Sequence, residues 1–299
     1  MKKALLTGAN GFLGRWISEA LEQSGFRVAT LGRSECSEYR FDLINEIPGF
    51  DEAFDLVVHA AGKAHVAVST AHPAEDFRKV NTVGTMHLLS ALDSQPPAAF
   101  VLISTVAVYG VDTGNNISED APLLASDPYG SSKIEAEKAV RRWCEERNVK
   151  CSILRLPLVA GPNPPGNLNE MINGIQKGRY ANIGNGSARK SIVLASDVAA
   201  IIATAAENPG IYNLTDGYHP TFCELSMHIA QQLGRRKVPT IPFWLARILS
   251  LAGDLTGGGL PINSLKFRKI TLDLTFEDTR ARTHLGWKPT PVLQGFKIK

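Results

Sequence analysis

Three glycines near the N-terminus constrain this chain more than any other feature. Gly8, Gly11 and Gly14 follow the apolar segment Ala4-Leu5-Leu6, and from Phe12 onward apolar residues recur every three or four positions. That order predicts a buried strand, a tight turn and an amphipathic helix. Such a unit brings the backbone close to a pyrophosphate, which the free N–H groups of the helix attract. The residues predicted to hold a dinucleotide here are Gly8, Asn10, Gly11, Phe12, Leu13 and Gly14.

Length and charge narrow the class of protein. A chain of 299 residues can bury a full α/β core together with a smaller lobe. The formal net charge is only +3 and the basic residues are dispersed, so a nucleic-acid platform is not expected. No apolar run approaches the length of a membrane span, and Met1-Lys2-Lys3 leads directly into the first strand. We therefore expect a cytoplasmic protein that binds small molecules and does not span a membrane.

The four cysteines indicate neither disulfides nor a metal site. None of them forms a C-x-x-C pair, and they are few for the length of the chain. We expect reduced thiols and no bound metal. These residues are Cys36, Cys144, Cys151 and Cys223.

The residues after the second predicted strand bear on the cofactor. That strand spans residues 25–31, and Gly32, Arg33 and Ser34 follow it. In an NAD site this position usually holds an acidic residue that binds the adenosine ribose, whereas an Arg can pair with the extra phosphate of NADP. The alternative is a solvated loop arginine. Because no carboxylate occupies the position, we expect NADP to be favoured over NAD, with Arg33 and Ser34 in its site.

A second motif, Tyr129-Gly-Ser-Ser-Lys133, predicts carbonyl chemistry. Tyr129 and Lys133 share one face of a predicted helix, and the fifth strand before it ends in Ser104 and Thr105. A tyrosine with a pKa near 10 is a poor acid–base group at neutral pH, but a neighbouring ammonium stabilises its phenolate. We predict that Thr105, Tyr129 and Lys133 are catalytic, with Tyr129 transferring the proton and Lys133 also binding the nicotinamide ribose. The alternative is that Tyr129 and Lys133 share a surface face by chance and have no catalytic role.

These motifs together resemble the extended branch of the short-chain dehydrogenase/reductase superfamily. The similar segments are T-G-A-N-G-F-L-G, H-A-A-G at residues 59–62, N-x-x-G-T at 81–85 and L-G-W-x-P at 285–289. The resemblance implies a doubly wound parallel α/β sheet of the Rossmann type, with a smaller C-terminal α/β substrate lobe. We place a dinucleotide-binding domain at 1–165 and a substrate lobe at 166–299, with segments around 190–215 able to return to the main sheet.

The resemblance also assigns further cofactor residues. Asp42 and Leu43 would contact the adenine, although Asp42 is equally suited to cap the following turn. Ala60 and Ala61 would pass along the cofactor, and Asn81 would support the helix beside the nicotinamide. His59 is assigned no chemistry.

The same resemblance limits the reaction. Sugar dehydratases of the family carry an Asp-Glu pair directly after the catalytic Thr, where this chain has Val106 and Ala107. Neither residue can exchange a proton, so we do not expect dehydration. Reduction of a 4-keto sugar nucleotide and 4-epimerisation of a UDP-sugar both remain. Arg33 favours reduction, and the overall layout resembles reductases that complete deoxy-amino sugars such as N-acetylquinovosamine. Less favoured alternatives are a reductase of other carbonyls and a non-catalytic, dinucleotide-sensing protein.

The second half of the chain is less informative. Asn167, Lys190 and Arg268 are the residues we would test for contacts to a substrate diphosphate, against the alternative that each is an ordinary surface residue. Residues 241–251 are strongly apolar and flanked by basic residues. A membrane-surface helix fits that composition, but we predict a helix buried in the small lobe. The expected partner is a nucleotide-sugar substrate, and a homodimer is left open.

Overall fold

A computed structural model describes residues 1–64, 73–255 and 262–298. The strands are β1 (Lys2–Thr7), β2 (Phe26–Gly32), β3 (Tyr39–Arg40), β4 (Leu56–His59), β5 (Ala99–Thr105), β6 (Gly114–Ile117), β7 (Lys150–Leu156), β8 (Leu158–Ala160), β9 (Asn182–Ile183), β10 (Ile192–Leu194), β11 (Gly210–Asn213), β12 (Thr240–Ile241) and β13 (Leu274–Phe276). The helices are α1 (Phe12–Gln23), α2 (Pro73–Phe77), α3 (Gly84–Ala91), α4 (Pro128–Glu146), α5 (Gly166–Gln176), α6 (Ala195–Glu207), α7 (Phe222–Gln232), α8 (Phe243–Leu255), α9 (Ser264–Thr271), α10 (Thr279–Leu285) and α11 (Val292–Gly295).

The largest sheet confirms the predicted fold class. Seven parallel strands run in the order β11-β7-β5-β4-β1-β2-β3. The order reverses between β1 and β4, which is the point where open α/β sheets bind ligands beyond the carboxyl ends of their strands. Because the strands are parallel, the carboxyl ends of β1 and β5 lie at the same edge of the sheet. The glycine turn follows β1 and Thr105 ends β5, so both lie at this edge.

Both faces of this sheet are covered. Leu5 and Leu6 are fully buried and lie in different clusters, because successive side chains of a strand point to opposite faces. On the Leu6 side the sheet packs against α1 and α6, with Ile17 and Ile202 in contact with it. On the Leu5 side it packs against α3 and α4. Continuous apolar strands are typical of sheets covered on both faces.

The helical segment from Pro73 to Ala91 is divided. Between α2 and α3 lies a π-helical segment, Arg78–Val83, in which the backbone bonding shifts from i+4 to i+5. Gly84 begins α3 and is buried, and a Cβ at this position would lie 3.4 Å from the Leu43 Cβ. This distance is an ordinary van der Waals contact, so the space around Gly84 does not itself require a glycine.

The C-terminal half encloses its own cluster. Helices α5 and α7 pack together around Leu168, Ile229 and Phe296. β11 lies in the main sheet beside β7, so this half also contributes to that sheet. In the closing L-G-W-x-P segment, Gly286 ends α10 with φ +63°, and Trp287 is buried and donates to the Thr215 carbonyl at 2.9 Å. The division of the chain at residue 165 stays a prediction.

The expectation of a buried helix at residues 241–251 is wrong. The helix forms as α8, but only Ala246, Ser250 and Gly253 are buried. A Cβ at Gly253 would lie 1.9 Å from the Ile262 carbonyl oxygen, so these small residues let the following chain approach one narrow face. The large apolar side chains cover the rest of the helix and stay exposed. None of the described helices is long and apolar enough to cross a membrane.

Candidate active site

The glycine turn after β1 fits a bound pyrophosphate. Gly8 has φ +74°, and a Cβ there would lie 2.7 Å from the Ala61 nitrogen. A Cβ on Gly14 would lie 2.0 Å from the Gly8 carbonyl oxygen, so α1 packs directly on the turn. Gly11 caps α1 without a side chain, and the first turn of the helix has no acidic residue. The N–H groups of that turn therefore keep their attraction for an anion, and these residues fit a dinucleotide.

A buried histidine holds the neighbouring strand end in place. His59 Nδ1 is 2.7 Å from Thr7 Oγ1, and Nε2 is 2.9 Å from Thr85 Oγ1. Thr7 Oγ1 also accepts from the Ala61 nitrogen at 3.0 Å. Burial lowers the pKa of His59 to about 3, with Lys133 acting in the same direction, so the ring stays neutral. Its contacts join β1, β4 and α3 and position Ala61, which is a structural role.

Asn81 links three segments around the site. Its Oδ1 accepts from the Lys63 nitrogen at 2.8 Å, and its Nδ2 donates to the Lys63 carbonyl at 3.0 Å and to Ser132 Oγ at 2.9 Å. Asn81 lies in the π-helical segment, and it is buried. It therefore ties the chain after β4 to the first turns of α4. The sequence indicated a supporting role for Asn81 but not its bond to Ser132.

Capping residues set the start of α4. Asp127 Oδ1 accepts from the backbone nitrogens of Tyr129 and Gly130 at 3.1 and 3.0 Å, and Pro128 occupies the first turn. Both features favour a helix that begins at this point. Tyr129 thus lies in the first turn and Lys133 one turn later, on the same face.

Thr105 and Tyr129 meet at the edge of the sheet. Burial raises the pKa of Tyr129, and the nearby Thr105 side chain has a smaller, opposite effect. The phenol is therefore protonated at neutral pH. Thr105 is half-buried at the end of β5, and its Oγ1 accepts from the Ala107 nitrogen at 3.2 Å. A substrate oxygen placed here would meet two hydroxyl groups.

Lys133 is buried beneath the same site. Its Nζ donates to the Ile103 carbonyl at 2.7 Å. Burial lowers its pKa to about 8, while Glu137 one turn later acts in the opposite direction. A Cβ at Gly62 would lie 3.2 Å from Asn81 Oδ1 and 3.9 Å from Lys133 Nζ, so the backbone after β4 passes close to both side chains.

A buried ion pair, which sequence reasoning missed, forms the floor of the site. Arg155 Nη2 donates to Glu137 Oε2 at 2.8 Å, and its Nη1 donates to the Tyr109 hydroxyl and the Glu119 carbonyl, both at 3.1 Å. Ser104 Oγ donates to Glu137 as well. Of the two hydroxyl residues at the end of β5, Ser104 therefore faces this floor and Thr105 faces Tyr129. No spacing in the sequence links Glu137 to Arg155, so the sequence held no signal for this pair.

The predicted adenosine end is open to solvent. Arg33 is exposed one residue beyond the end of β2, and Ser34 Oγ accepts from the Cys36 nitrogen at 3.3 Å within a turn. Asp42 accepts from the Ile44 nitrogen at 3.2 Å and from Asn45 Nδ2 at 3.1 Å. It thus caps the turn that follows β3, which ends at Arg40.

The three predicted diphosphate residues lie apart in the described contacts. Asn167 is exposed at the start of α5, and Arg268 is exposed in the last turn of α9. Lys190 is half-buried, and burial lowers its pKa to about 8 while Asp273 and Asp112 act in the opposite direction. Its cationic neighbour is Lys269 rather than Arg268.

Comparisons with known proteins agree with this architecture. A family model described as the NAD dependent epimerase/dehydratase family matches residues 4–215. The UDP-glucose 4-epimerase of Vibrio cholerae is 26% identical, over 99% of this chain and 94% of that protein.

Two solved structures show the same fold. A UDP-glucose 4-epimerase from Thermotoga maritima, solved with UDP-glucose, gives a TM-score of 0.77 at 20% identity and covers 99% of this chain and 96% of its own. RMD from Pseudomonas aeruginosa, complexed with NADPH, gives a TM-score of 0.72 at 19% identity and covers 98% of this chain and 96% of its own. At these identities the likeness shows the fold alone. With the family match across residues 4–215, the predicted resemblance is confirmed: the chain belongs to the NAD-dependent epimerase/dehydratase family of extended short-chain dehydrogenases/reductases.

Proposed function

We propose that this enzyme reduces the C4 carbonyl of a 4-keto nucleotide-activated sugar, with NADPH as the preferred reductant. One arrangement carries the proposal: Thr105 lies close to the Tyr129 hydroxyl at the ligand-binding edge of the sheet, with Lys133 one helical turn away and the glycine turn at the same edge. The family comparisons support a nucleotide-sugar substrate.

The proposed roles follow from the chemistry of carbonyl reduction. A bound nicotinamide supplies the hydride that adds to the carbonyl carbon. Tyr129 donates the proton to the carbonyl oxygen, and Thr105 hydrogen-bonds to that oxygen and orients it. Lys133, when charged, stabilises the phenolate that is left and binds the nicotinamide ribose. Because burial keeps Tyr129 protonated, the resting site is prepared to donate a proton, as reduction requires.

The segment after Thr105 supports reduction over dehydration. Val106 and Ala107 begin a 3₁₀ helix, Val106–Tyr109, directly beside the catalytic edge. Neither side chain can accept or donate a proton. Elimination of water from a sugar needs an acid and a base, and this segment provides neither.

Arg33 supports the choice of NADPH. It is exposed at the end of β2, where an acidic residue would instead favour the ribose hydroxyls of NAD. The neighbouring RMD structure contains NADPH, whereas the family is named for NAD.

A second candidate is 4-epimerisation of a UDP-sugar. The supporting observation is the Vibrio cholerae relative, which aligns over 99% of this chain and is named a UDP-glucose 4-epimerase. Epimerisation would use Thr105, Tyr129 and Lys133 in the same places, with Tyr129 first accepting and then returning a proton. It is redox-neutral overall, whereas reduction consumes one reduced coenzyme for each product.

Several expectations from the sequence remain proposals. We propose that residues 166–299 bind the sugar nucleotide, with Asn167, Lys190 and Arg268 contacting its diphosphate. A cytoplasmic location and a homodimer are likewise proposed. Size-exclusion chromatography of the purified chain would test whether it forms a homodimer.

One pair of assays separates the two reactions. The purified protein is incubated with UDP-N-acetylglucosamine or UDP-glucose without added coenzyme, and separately with a 4-keto-6-deoxy UDP-sugar and NADPH. If the enzyme is a reductase, NADPH absorbance falls as the ketone is consumed, and the UDP-sugars incubated without coenzyme do not react. Formation of the galacto epimer without added coenzyme would overturn reduction and establish the second candidate.

A further inference from the structure

Helix α8 exposes an apolar stripe that the proposed chemistry does not use. Trp244, Ile248, Leu251 and Leu255 are exposed by 63%, 56%, 55% and 90%, and they recur at intervals of three and four residues on one face. The buried residues Ala246, Ser250 and Gly253 lie on the opposite face. We call the four apolar residues, together with the exposed Arg247 between them, the α8 stripe. Large side chains thus point to solvent while small ones pack inward.

Positive charge accompanies the stripe. Residues 243–272 contain Arg247, Lys266, Arg268 and Lys269 against one acidic residue, Asp254. Asp254 is already bonded to Ser264, whose backbone nitrogen donates to its Oδ1 at 3.1 Å. Helix α9 packs on α8 through an edge contact between Phe267 and Phe243 with ring centres 5.0 Å apart.

We propose that the α8 stripe docks this enzyme on the surface of an anionic lipid bilayer. A helix with exposed aromatic and aliphatic side chains and neighbouring cations lies in the membrane interface, where apolar residues enter the acyl boundary. Trp is favoured at that depth, and Arg can extend its guanidinium to the headgroups. The basic residues of α8 and α9 match the negative potential of such a surface. The proposal is independent of which carbonyl the active site reduces.

Charge argues against a second copy of the chain as the occupant. An isologous contact would place the stripe against itself, so each Arg247 would face the cations of the other copy. Asp254 and the adjacent Asp273 are outnumbered by the four cations of residues 243–272. A bilayer with anionic headgroups satisfies the same cations without this repulsion.

Vesicle flotation tests the proposal. The full chain is mixed with phosphatidylcholine vesicles and with vesicles containing phosphatidylcholine and phosphatidylglycerol at 7:3. We expect at least tenfold stronger partition onto the anionic vesicles, weakened by added salt. Replacing Trp244, Ile248 and Leu251 together by Gln should lower this partition at least tenfold. The control Ile47→Gln removes a side chain that is also 56% exposed but lies outside α8, and it should partition like the parent.

A charge variant keeps the test decisive if the triple variant fails to fold. Arg247→Glu alters one exposed side chain, and it should weaken partition severalfold on anionic vesicles but not on neutral ones. Circular dichroism checks that each variant is folded. Absence of the parent from floated anionic vesicles would overturn the proposal, as would equal partition of parent and folded triple variant. A stripe-dependent dimer without vesicle binding would show that a second copy covers this face.

Discussion

Helices α4 and α8 invert the usual relation between polarity and burial. α4 buries Lys133 and Glu137 in the middle of the molecule, whereas α8 leaves Trp244 and Ile248 in solvent. Each of these two buried charges has a partner: Lys133 donates to the Ile103 carbonyl, and Glu137 pairs with Arg155. On α8 the small lobe covers only a narrow face. The comparison teaches that burial follows from the available partners and covering elements rather than from residue polarity alone.

This difference predicts where the molecule tolerates change. Substitutions of the buried charges on α4 should cost stability or turnover, because an unpaired charge remains in a low-dielectric site. Substitutions on the exposed face of α8 should leave the fold intact. Three of the five predictions below test this contrast, and those for Arg33 and His59 extend it to the coenzyme end and to the main sheet; they follow in order of decreasing effect.

Glu137→Gln should have the largest effect on stability. It removes the charge that pairs with Arg155 while keeping the side-chain size, so an uncompensated guanidinium remains buried. We expect the free energy of unfolding to fall by about 3–5 kcal/mol, measured by urea denaturation. Glu145→Ala on the exposed side of the same helix is the control and should change it by less than about 0.5 kcal/mol. A Glu137→Gln protein as stable as the parent would show that the pair contributes nothing.

Tyr129→Phe should abolish most turnover with little effect on the fold. The substitution removes only the hydroxyl that lies close to Thr105. Loss of a positioned acid lowers turnover by about a hundredfold or more, whereas coenzyme affinity and unfolding temperature should stay near those of the parent. Tyr180→Phe removes a hydroxyl that bonds Asn182 in the other half of the chain, and it should keep activity. Activity near the parent level in Tyr129→Phe would place the proton donor elsewhere.

Arg33→Glu should reverse the order of coenzyme affinities. A charge-assisted contact to a phosphate contributes about 1.5–3 kcal/mol, so NADPH binding should weaken at least tenfold relative to NADH. Titration of each coenzyme by fluorescence measures both constants. Arg40→Glu, also exposed and on the neighbouring strand, should leave their ratio unchanged. Equal affinities of the parent for NADPH and NADH would contradict the role of Arg33.

His59 should make the fold sensitive to acid. Its pKa is about 3 in the folded chain and near 6.5 when exposed, so the unfolded chain gains its proton first as the pH falls. Stability is therefore full above pH 6.5 and decreases below it, by about 2 kcal/mol from this residue at pH 5. Urea unfolding of parent and His59→Gln at pH 7 and pH 5 measures the difference. An equal loss in both proteins would show that other groups cause it.

The triple Gln variant of Trp244, Ile248 and Leu251 should have the smallest effect on stability. These side chains face solvent, and Gln retains helix propensity, so the free energy of unfolding should change by less than about 1 kcal/mol. On the covered face of α8, Gly253→Ala should cost about 1–3 kcal/mol, because its Cβ would meet the Ile262 carbonyl. A larger loss in the triple variant would mean that this face is packed in solution.

Local patterns were sufficient to predict the centre of the site. Gly8 and Gly14 follow a strand and open a helix, and Tyr129 and Lys133 are one turn apart, so spacing alone brings each pair together. The fold class follows from the same alternation of strands and helices. Catalytic roles for these residues remain predictions.

Other features depended on contacts between distant segments. Glu137 and Arg155 meet because α4 packs against the strand that contains Arg155, and no spacing rule links them. The bond from Asn81 to Ser132 joins segments that are 51 residues apart. For residues 243–255, periodicity predicts a helix but cannot show which face the small lobe covers. The prediction of burial there was wrong for that reason.

The central claim, transfer of hydride to C4 of a nucleotide sugar, is tested most directly by isotope labelling. The enzyme is supplied with a 4-keto-6-deoxy UDP-sugar and NADPH carrying deuterium at both positions of its nicotinamide C4, and the product is examined by mass spectrometry and proton NMR. The account predicts one deuterium per product molecule, located at C4 of the sugar, and at least a hundredfold slower incorporation by Tyr129→Phe. Oxidation of the coenzyme with no deuterium at C4, or no reaction with the ketone at all, would contradict it.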